Sequence, residues 1–322
     1  MNKKAVLMIF LILFLISGFL IATPLISILL LTPNKLQRIS FAINGFTIDD
    51  FAYWLQDIDN ETVRNSKYDL MIIDYSSNSN ETGEFSAQDI NYMKSSGDAR
   101  KLLIAYISIG EAENYRFYWN ESWVKNNDGF PDAGAPSWLD VENPEWSGNY
   151  KVKFWMIEWQ HVIFQYLDRI INASFDGIYM DIIDAYEYYE NITSHSDWKM
   201  INFVANISNY VKSTVSSNFI VFVQNADELL KNNTYINCID GIGREDLFYM
   251  DNSPTSKVEQ ENAISNLNLA RSINKTVLII DYPQSYSLKL DFYKKCIANG
   301  FIPYAADREL NSLKEYDFYP PT

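Results

Sequence analysis

From Phe51 to Ala305 the chain alternates short apolar runs with longer stretches in which apolar residues recur every three or four positions. The short runs fall at Phe51–Leu55, Tyr68–Asp74, Lys101–Ile109, Phe175–Asp181, Phe219–Gln224, Cys238–Arg244, Val277–Asp281 and Phe301–Ala305. They are rich in Ile, Val, Tyr and Phe, and read as strands buried on both faces. Between them, Lys151–Ile171, Trp198–Val215, Pro254–Ser272 and Leu288–Ala298 read as helices. Such alternation implies an α/β fold with a parallel sheet and crossover helices, and eight units close most simply into a (β/α)8 barrel. A doubly wound sheet would carry a GxGxxG turn after its first strand, and GIGRED at Gly241 has only two glycines. The pattern predicts one domain over 41–322 with no internal boundary. Its longest insertion, Gly110–Tyr150, holds Trp119, Trp123, Trp138 and Trp146, and reads as a lid or groove wall.

Ahead of the barrel pattern, Ala5–Leu31 is almost wholly apolar and follows Lys3 and Lys4. The run exceeds the roughly 20 residues that cross a bilayer as a helix and is longer than the apolar core of a cleaved signal. Residues 1–31 are therefore expected to be a transmembrane anchor, with a cleaved signal as the alternative, and 32–40 a polar linker. The lysines place the amino terminus inside and the rest at the extracellular face, membrane-anchored or, if cleaved, secreted. Asn-x-Ser/Thr triplets at Asn60, Asn80, Asn120, Asn172, Asn191, Asn206, Asn232 and Asn274 agree with an external surface. Cys238 and Cys296 would then form one bridge or remain two buried thiols.

Lys and Arg total 26 against 41 Asp and Glu, a net charge of −15, which argues against a nucleic-acid partner. With two histidines and no Cys cluster, zinc-type spacing is missing, and no motif predicts a cofactor. The carboxylates carry the chemistry. In a barrel of this type the site forms at the carboxyl ends of the strands, and those ends supply Asp74, Glu111, Asp181, Glu245, Asp281 and Asp307. Asp181 shares strand parity with Tyr179 and Gly177, and Glu245 with Gly243 and Gly241, so both carboxylates would point to one mouth. Parity turns Arg244 the other way. Part of the set would serve only as helix caps, and Asp184 and Asp246 read as caps or outer partners. Two chemistries stay open: glycoside hydrolysis by paired carboxyl groups, and hydrolysis assisted by a hard cation.

The segments SIGEAENYRFYW (108–119), WLDVENPEWSGNYKVKFW (138–155), FDGIYMDIIDAYEYYE (175–190), VQNADELL (223–230), GREDLFY (243–249) and FIPYAADRELNSL (301–313) resemble glycoside hydrolase family 114, the endo-α-1,4-polygalactosaminidase-like barrels. The resemblance spans roughly Phe51 to the end. It implies a TIM-barrel glycosidase with its catalytic pair on the fourth and sixth strands, matched by Asp181 as nucleophile and Glu245 as acid/base. The implied substrate is an α-1,4-linked galactosamine polymer, cationic at neutral pH, which an acidic mouth lined by Asp74, Glu111, Asp281 and Asp307 would attract. Trp54, Tyr106, Tyr179, Trp146 and Tyr282 are the candidate aromatic subsites, and Asn225 a candidate hydrogen-bonding residue or helix cap. Trp155 and Trp159, four apart, read as a core-facing helical stripe, and Tyr186, Tyr188 and Tyr189 as cleft lining or barrel cover. The separation of the two carboxyls, which sets a retaining or inverting outcome, stays open. The alternative from another class is a membrane-anchored glycan-binding or envelope protein that keeps the barrel without turnover.

Overall fold

The computed structural model describes residues 35–96, 99–126 and 128–322, of which Leu36–Thr322 form one compact unit. The expected anchor, Ala5–Leu31, lies outside the described residues. Among those described, no helix is long and apolar enough to cross a membrane. The end of the expected linker belongs to the compact unit, because the Leu36 N–H donates to the Phe318 carbonyl at 3.0 Å and Arg38 pairs with Asp50 at 2.7 Å.

Eight parallel strands make the core: β1 (Phe51–Trp54), β2 (Leu70–Ile73), β3 (Leu102–Ser108), β4 (Gly177–Asp181), β5 (Ile220–Gln224), β6 (Gly241–Glu245), β7 (Thr276–Asp281) and β8 (Ile302–Ala305). They are hydrogen-bonded in sequence order. Each lies within one of the apolar runs or within a residue of it, since a strand covered on both faces needs nearly every side chain apolar. The ladder is nearly closed. At the seam between β8 and β1 the rings of Phe51 and Tyr304 pack at 5.6 Å, and the Leu310 carbonyl accepts from the N–H groups of Leu55 and Gln56.

Helices α1 (Asn60–Asn65), α2 (Ala87–Lys94), α3 (Ile157–Asn172), α4 (Ala185–Tyr188), α5 (Ser196–Thr214), α6 (Asn233–Cys238), α7 (Lys257–Ser272) and α8 (Tyr286–Asn299) accompany the strands among the described residues. Several starts are written in the sequence. Ser86 and Asp89 close a capping box on α2, while the Ser256 and Ser285 hydroxyls accept from Glu259 and Leu288 N–H groups. Gly300, at φ +74°, ends α8 in the left-handed conformation that glycine adopts without strain.

The expected helix over Lys151–Ile171 begins later than its pattern suggests. Asn149–Val152 is instead the middle strand of a small antiparallel sheet with Glu111–Glu113 and Leu139–Glu142, built inside the long insertion. The tryptophans of that insertion divide. Trp119, Trp123 and Trp138 pack edge to face in a chain that reaches Trp159 on α3, forming a local core, while Trp146 stays half exposed. Trp155 precedes α3 and packs on Tyr189, so of the two tryptophans only Trp159 belongs to the buried stripe of that helix, with Ile163, Tyr166, Leu167 and Ile170. Cys238 and Cys296 are both free thiols, so the structure holds no bridge between them.

Candidate active site

The carboxyl ends of the strands open into a cavity of about 680 Å³. Its floor is aromatic. Tyr53, Tyr106, Tyr179 and Phe222, from four strands, point inward with Tyr53 5.4 Å from Tyr179 and 6.4 Å from Tyr106, and Tyr179 6.4 Å from Phe222. Gly243 makes this floor fit: a Cβ there would stand 1.8 Å from the Tyr179 hydroxyl oxygen, so only glycine lets β6 run past that ring.

Above the floor, Asp181 ends β4 and Glu245 ends β6, both turned into the cavity as strand parity predicts. Asp181 Oδ2 accepts from the Tyr106 hydroxyl at 2.8 Å, and Oδ1 from the Ile182 N–H at 2.7 Å. Glu245 Oε1 accepts from the Tyr282 hydroxyl, and Oε2 from Gln224 Nε2 at 2.6 Å. Gln224 is oriented in turn by Tyr53, whose hydroxyl donates to Gln224 Oε1 at 3.0 Å. Burial pushes both carboxyls upward from their ordinary range; for Asp181 the neighbouring Glu245 charge adds to it, while the donated hydrogen bonds oppose it. Two buried carboxyls so coupled titrate as a pair.

Other expected site residues are placed unevenly. Asp74 reaches the cavity but is held by Arg116, whose Nη1 lies 2.8 Å from Asp74 Oδ2 and whose Nε lies 2.5 Å from Glu113 Oε2. Burial pushes Asp74 up to about 6 against the lowering effect of that guanidinium. Glu111 lines the cavity, accepts from Asn143 Nδ2 at 2.9 Å through Oε1, and has no partner at Oε2. Asn225 also lines it, in a left-handed conformation at φ +57°. Its side-chain oxygen accepts from the Glu245 N–H at 3.1 Å, so it braces the strand end and is not the residue capping the following helix. Tyr106 and Tyr282 line the cavity through their contacts with the two carboxyls, and Trp146 and Tyr115 flank its mouth.

Four of the expected substrate contacts are displaced. Asp281 is fully buried beneath the loop after β6, with its oxygens accepting from the N–H groups of Leu247, Phe248 and Tyr249 at 2.8–2.9 Å, so it organises that loop. Asp307 turns aside to pair with Lys314, and its neighbour Arg308 takes the place at the cavity. Trp54 points out of the barrel, with its indole N–H on the Gln56 carbonyl, because alternation gives the inward position to Tyr53. Tyr179 is sealed in the floor and offers no face to a ligand. Tyr186 and Tyr189 are buried outside the cavity lining and Tyr188 is exposed, so this trio covers the barrel edge.

Arg116 and Arg308 were not singled out by the sequence pattern, yet both line the cavity. Arg308 grips Asp246 with two nitrogens at 2.9 and 3.1 Å. Arg244 lies on the far side of its strand, as parity predicts, with Nη1 3.3 Å from Asn225 Oδ1. One trio of carboxylates among the described residues is close enough to share a cation: Asp49, Asp50 and Asp69, within 4.8 Å of one another. It precedes β1 and β2, at the end of the barrel opposite the cavity.

Comparison with known proteins agrees with this geometry. Residues 39–318 match the model of glycoside-hydrolase family GH114. An uncharacterized protein of Methanocaldococcus jannaschii, MJ1477, is 39% identical over 281 residues, 83% of this chain and 78% of that protein. One of Thermotoga maritima is 36% identical over 288 residues, 85% of each. Among solved structures, the glycoside hydrolase domain of PelA from Pseudomonas aeruginosa shares the fold with a TM-score of 0.58 at 11% identity, over 82% of this chain and 96% of that one. Aspergillus fumigatus Ega3, solved in complex with galactosamine, gives 0.60 at 17% identity, over 87% and 99%. By the match over 39–318 and the identity to these relatives, the chain belongs to glycoside-hydrolase family GH114.

Proposed function

We propose that this chain is an endo-acting glycosidase that cleaves α-1,4-linked galactosamine-type polysaccharide, with Asp181 and Glu245 as its working carboxyls. The observation that carries the reading is their convergence, from two separate strand ends, into one aromatic-floored cavity where neither ionises freely. In this mechanism Glu245 protonates the glycosidic oxygen as the bond to the anomeric carbon breaks, and Asp181 attacks that carbon or deprotonates the attacking water. Tyr106 and Tyr282 hold the two carboxyls in place.

Charge supports the substrate class. Nine carboxylates line the cavity against two guanidiniums, Arg116 and Arg308, and both of these are already paired. Glu145, Asp184 and Glu309 remain to meet a cationic chain, beside Glu111, whose Oε1 lies 3.9 Å from Lys151 Nζ, while Trp146 and Tyr115 offer ring faces to sugar C–H groups. The Ega3 complex with galactosamine supports the same class. An outside location, anchored or secreted, is supported by the Lys3–Lys4 and Ala5–Leu31 pattern, and by Asn120, Asn172, Asn191, Asn206 and Asn274 being exposed.

The test is release of reducing ends from polygalactosamine and from neutral and acidic glycans by the wild type, Asp181→Asn and Glu245→Gln. Loss of activity by at least about 1000-fold in each variant, with folding intact, is expected. Unchanged activity in either variant would overturn the assignment. Tight binding without turnover by the wild type would favour a glycan-binding role instead.

A further inference from the structure

Arg308 stands where three strand ends meet. Its guanidinium carbon lies 4.1 Å over the Tyr282 ring, just after β7. Two of its nitrogens hold Asp246, just after β6, and its Nε lies 3.1 Å from Asp251. Tyr282 and Asp246 both bear on Glu245. One donates a hydrogen bond to its Oε1, and the other is the next residue along the chain, turned at φ +52° so that its carboxylate faces Arg308.

We propose that Arg308 is a positioning residue for Glu245, acting through Tyr282 and Asp246: it pins the phenol that donates to Glu245 and cancels the charge of the carboxylate beside it. The inference rests on the reading of Glu245 as a working carboxyl. A cation over an aromatic face is attracted to the ring and restrains its tilt, which fixes the direction of the Tyr282 O–H. A two-pronged guanidinium–carboxylate pair likewise fixes Asp246, leaving little net charge next to Glu245. Lysine could not do both, because it lacks the planar fork.

The other groups facing Glu245 keep their places in the fold when Arg308 is changed. They are Asp181 and Tyr179 from β4 and Tyr53 from β1, with the uncharged Gln224 from β5, while Arg244 acts on Glu245 by its charge from the other side of β6. A change at Arg308 is therefore read in the titration of the Asp181–Glu245 pair, followed at the Glu245 signal. Freeing Asp246 raises the proton affinity of Glu245, and so do slackening the Tyr282 hydrogen bond and removing the Arg308 charge itself.

The experiment is a carbon-13 NMR titration of side-chain carboxyls in the full chain, with the Glu245 signal identified by its loss in Glu245→Gln. In Arg308→Gln the Glu245 midpoint is expected to rise by about one pH unit. In the double variant Arg308→Gln/Asp246→Asn it is expected to return at least halfway toward wild type. Asp246→Asn alone, which serves if Arg308→Gln does not fold, is expected to lower the midpoint. A Glu245 titration that stays within a few tenths of wild type in the folded variants overturns the proposal. The readout is independent of turnover. Inactivity of the wild type on every glycan would defeat the functional reading while leaving this coupling measurable, and an active enzyme with an unmoved titration would do the reverse.

Discussion

The Tyr106 hydroxyl donates to Asp181 Oδ2 at 2.8 Å from a neighbouring strand, and the register that pairs Tyr179 with Tyr106 and Asp181 with Ser108 sets that reach. The bond favours the ionised form of a buried carboxyl that burial and Glu245 together push toward protonation. A hydrogen bond to a charged group contributes about 1.5–3 kcal/mol. Tyr106→Phe is therefore expected to lower kcat/KM by about tenfold to a hundredfold and to move the acidic limb of the pH–rate profile upward. Steady-state kinetics across pH on the glycan cleaved by the wild type checks both.

Arg116 is a buried cation between two buried carboxylates, Asp74 and Glu113, with the Tyr75, Tyr115 and Tyr166 rings 5.0–5.6 Å from its guanidinium carbon. Removing one partner of such a group leaves uncompensated charge in the interior, at a cost of about 3–5 kcal/mol. Arg116→Met should lose stability on that scale in denaturant unfolding. Adding Asp74→Asn should recover part of it.

Tyr179 and Gly243 make a paired prediction. The Tyr179 hydroxyl is buried without a partner, so Tyr179→Phe should leave stability unchanged or slightly raised. Gly243→Ala drives a methyl into that phenol and should destabilise by about 1–3 kcal/mol. Thermal melts check both: a lowered unfolding temperature in Gly243→Ala and none in Tyr179→Phe is expected if the floor is packed as described.

Asp281 holds three backbone N–H groups of the loop after β6, immediately beyond Glu245. Asp281→Ala would strand all three donors and should cost at least about 3 kcal/mol, with loss of activity as the loop moves. Hydrogen exchange would show the Leu247, Phe248 and Tyr249 amides losing protection. Full protection in the variant would contradict this role.

Stability should also depend on pH in a definite direction. Burial pushes Asp50 and Asp74 up to about 6 and Asp281 up to about 7, from an ordinary value of 3.8. Between 3.8 and these raised values the folded chain binds more protons than the unfolded one. Stability contributed by protonation is thus complete below the unfolded value and is lost as pH rises through about 6–7. The unfolding temperature should be higher at pH 5 than at pH 8. A flat or inverted trend would show that these groups are not buried as the structure has them.

The eight strands were legible in the chain because a barrel strand is covered on both sides, and that requirement writes itself as an uninterrupted apolar run such as LLIAYIS over 102–108. The inward turn of Asp181 and Glu245 was legible for a similar reason: parity in a strand is local, and GIYMD and GIGRE each carry their own. The start of α3 was less legible. The stretch 149–152 has apolar positions that suit either state, and only its partners Glu111–Glu113 and Leu139–Glu142, distant in sequence, make it a strand.

By itself, then, the sequence determined the order of strands and helices, the acidic character of the mouth and the two carboxyls facing it, since each depends on neighbours along the chain. Only the tertiary structure decided which strand-end groups reach the cavity. Asp281 and Asp307 stand at strand ends just as Asp181 does, but three amides of another loop claim the first and Lys314 the second. Arg116 and Arg308 sit in loops, and although Glu113 is only three residues from Arg116, what ties each arginine to the cavity is a carboxylate 42 or 62 residues away. Which side chain binds which is settled by pairing across strands, and a charge buried in the fold takes whichever partner the closed barrel brings to it.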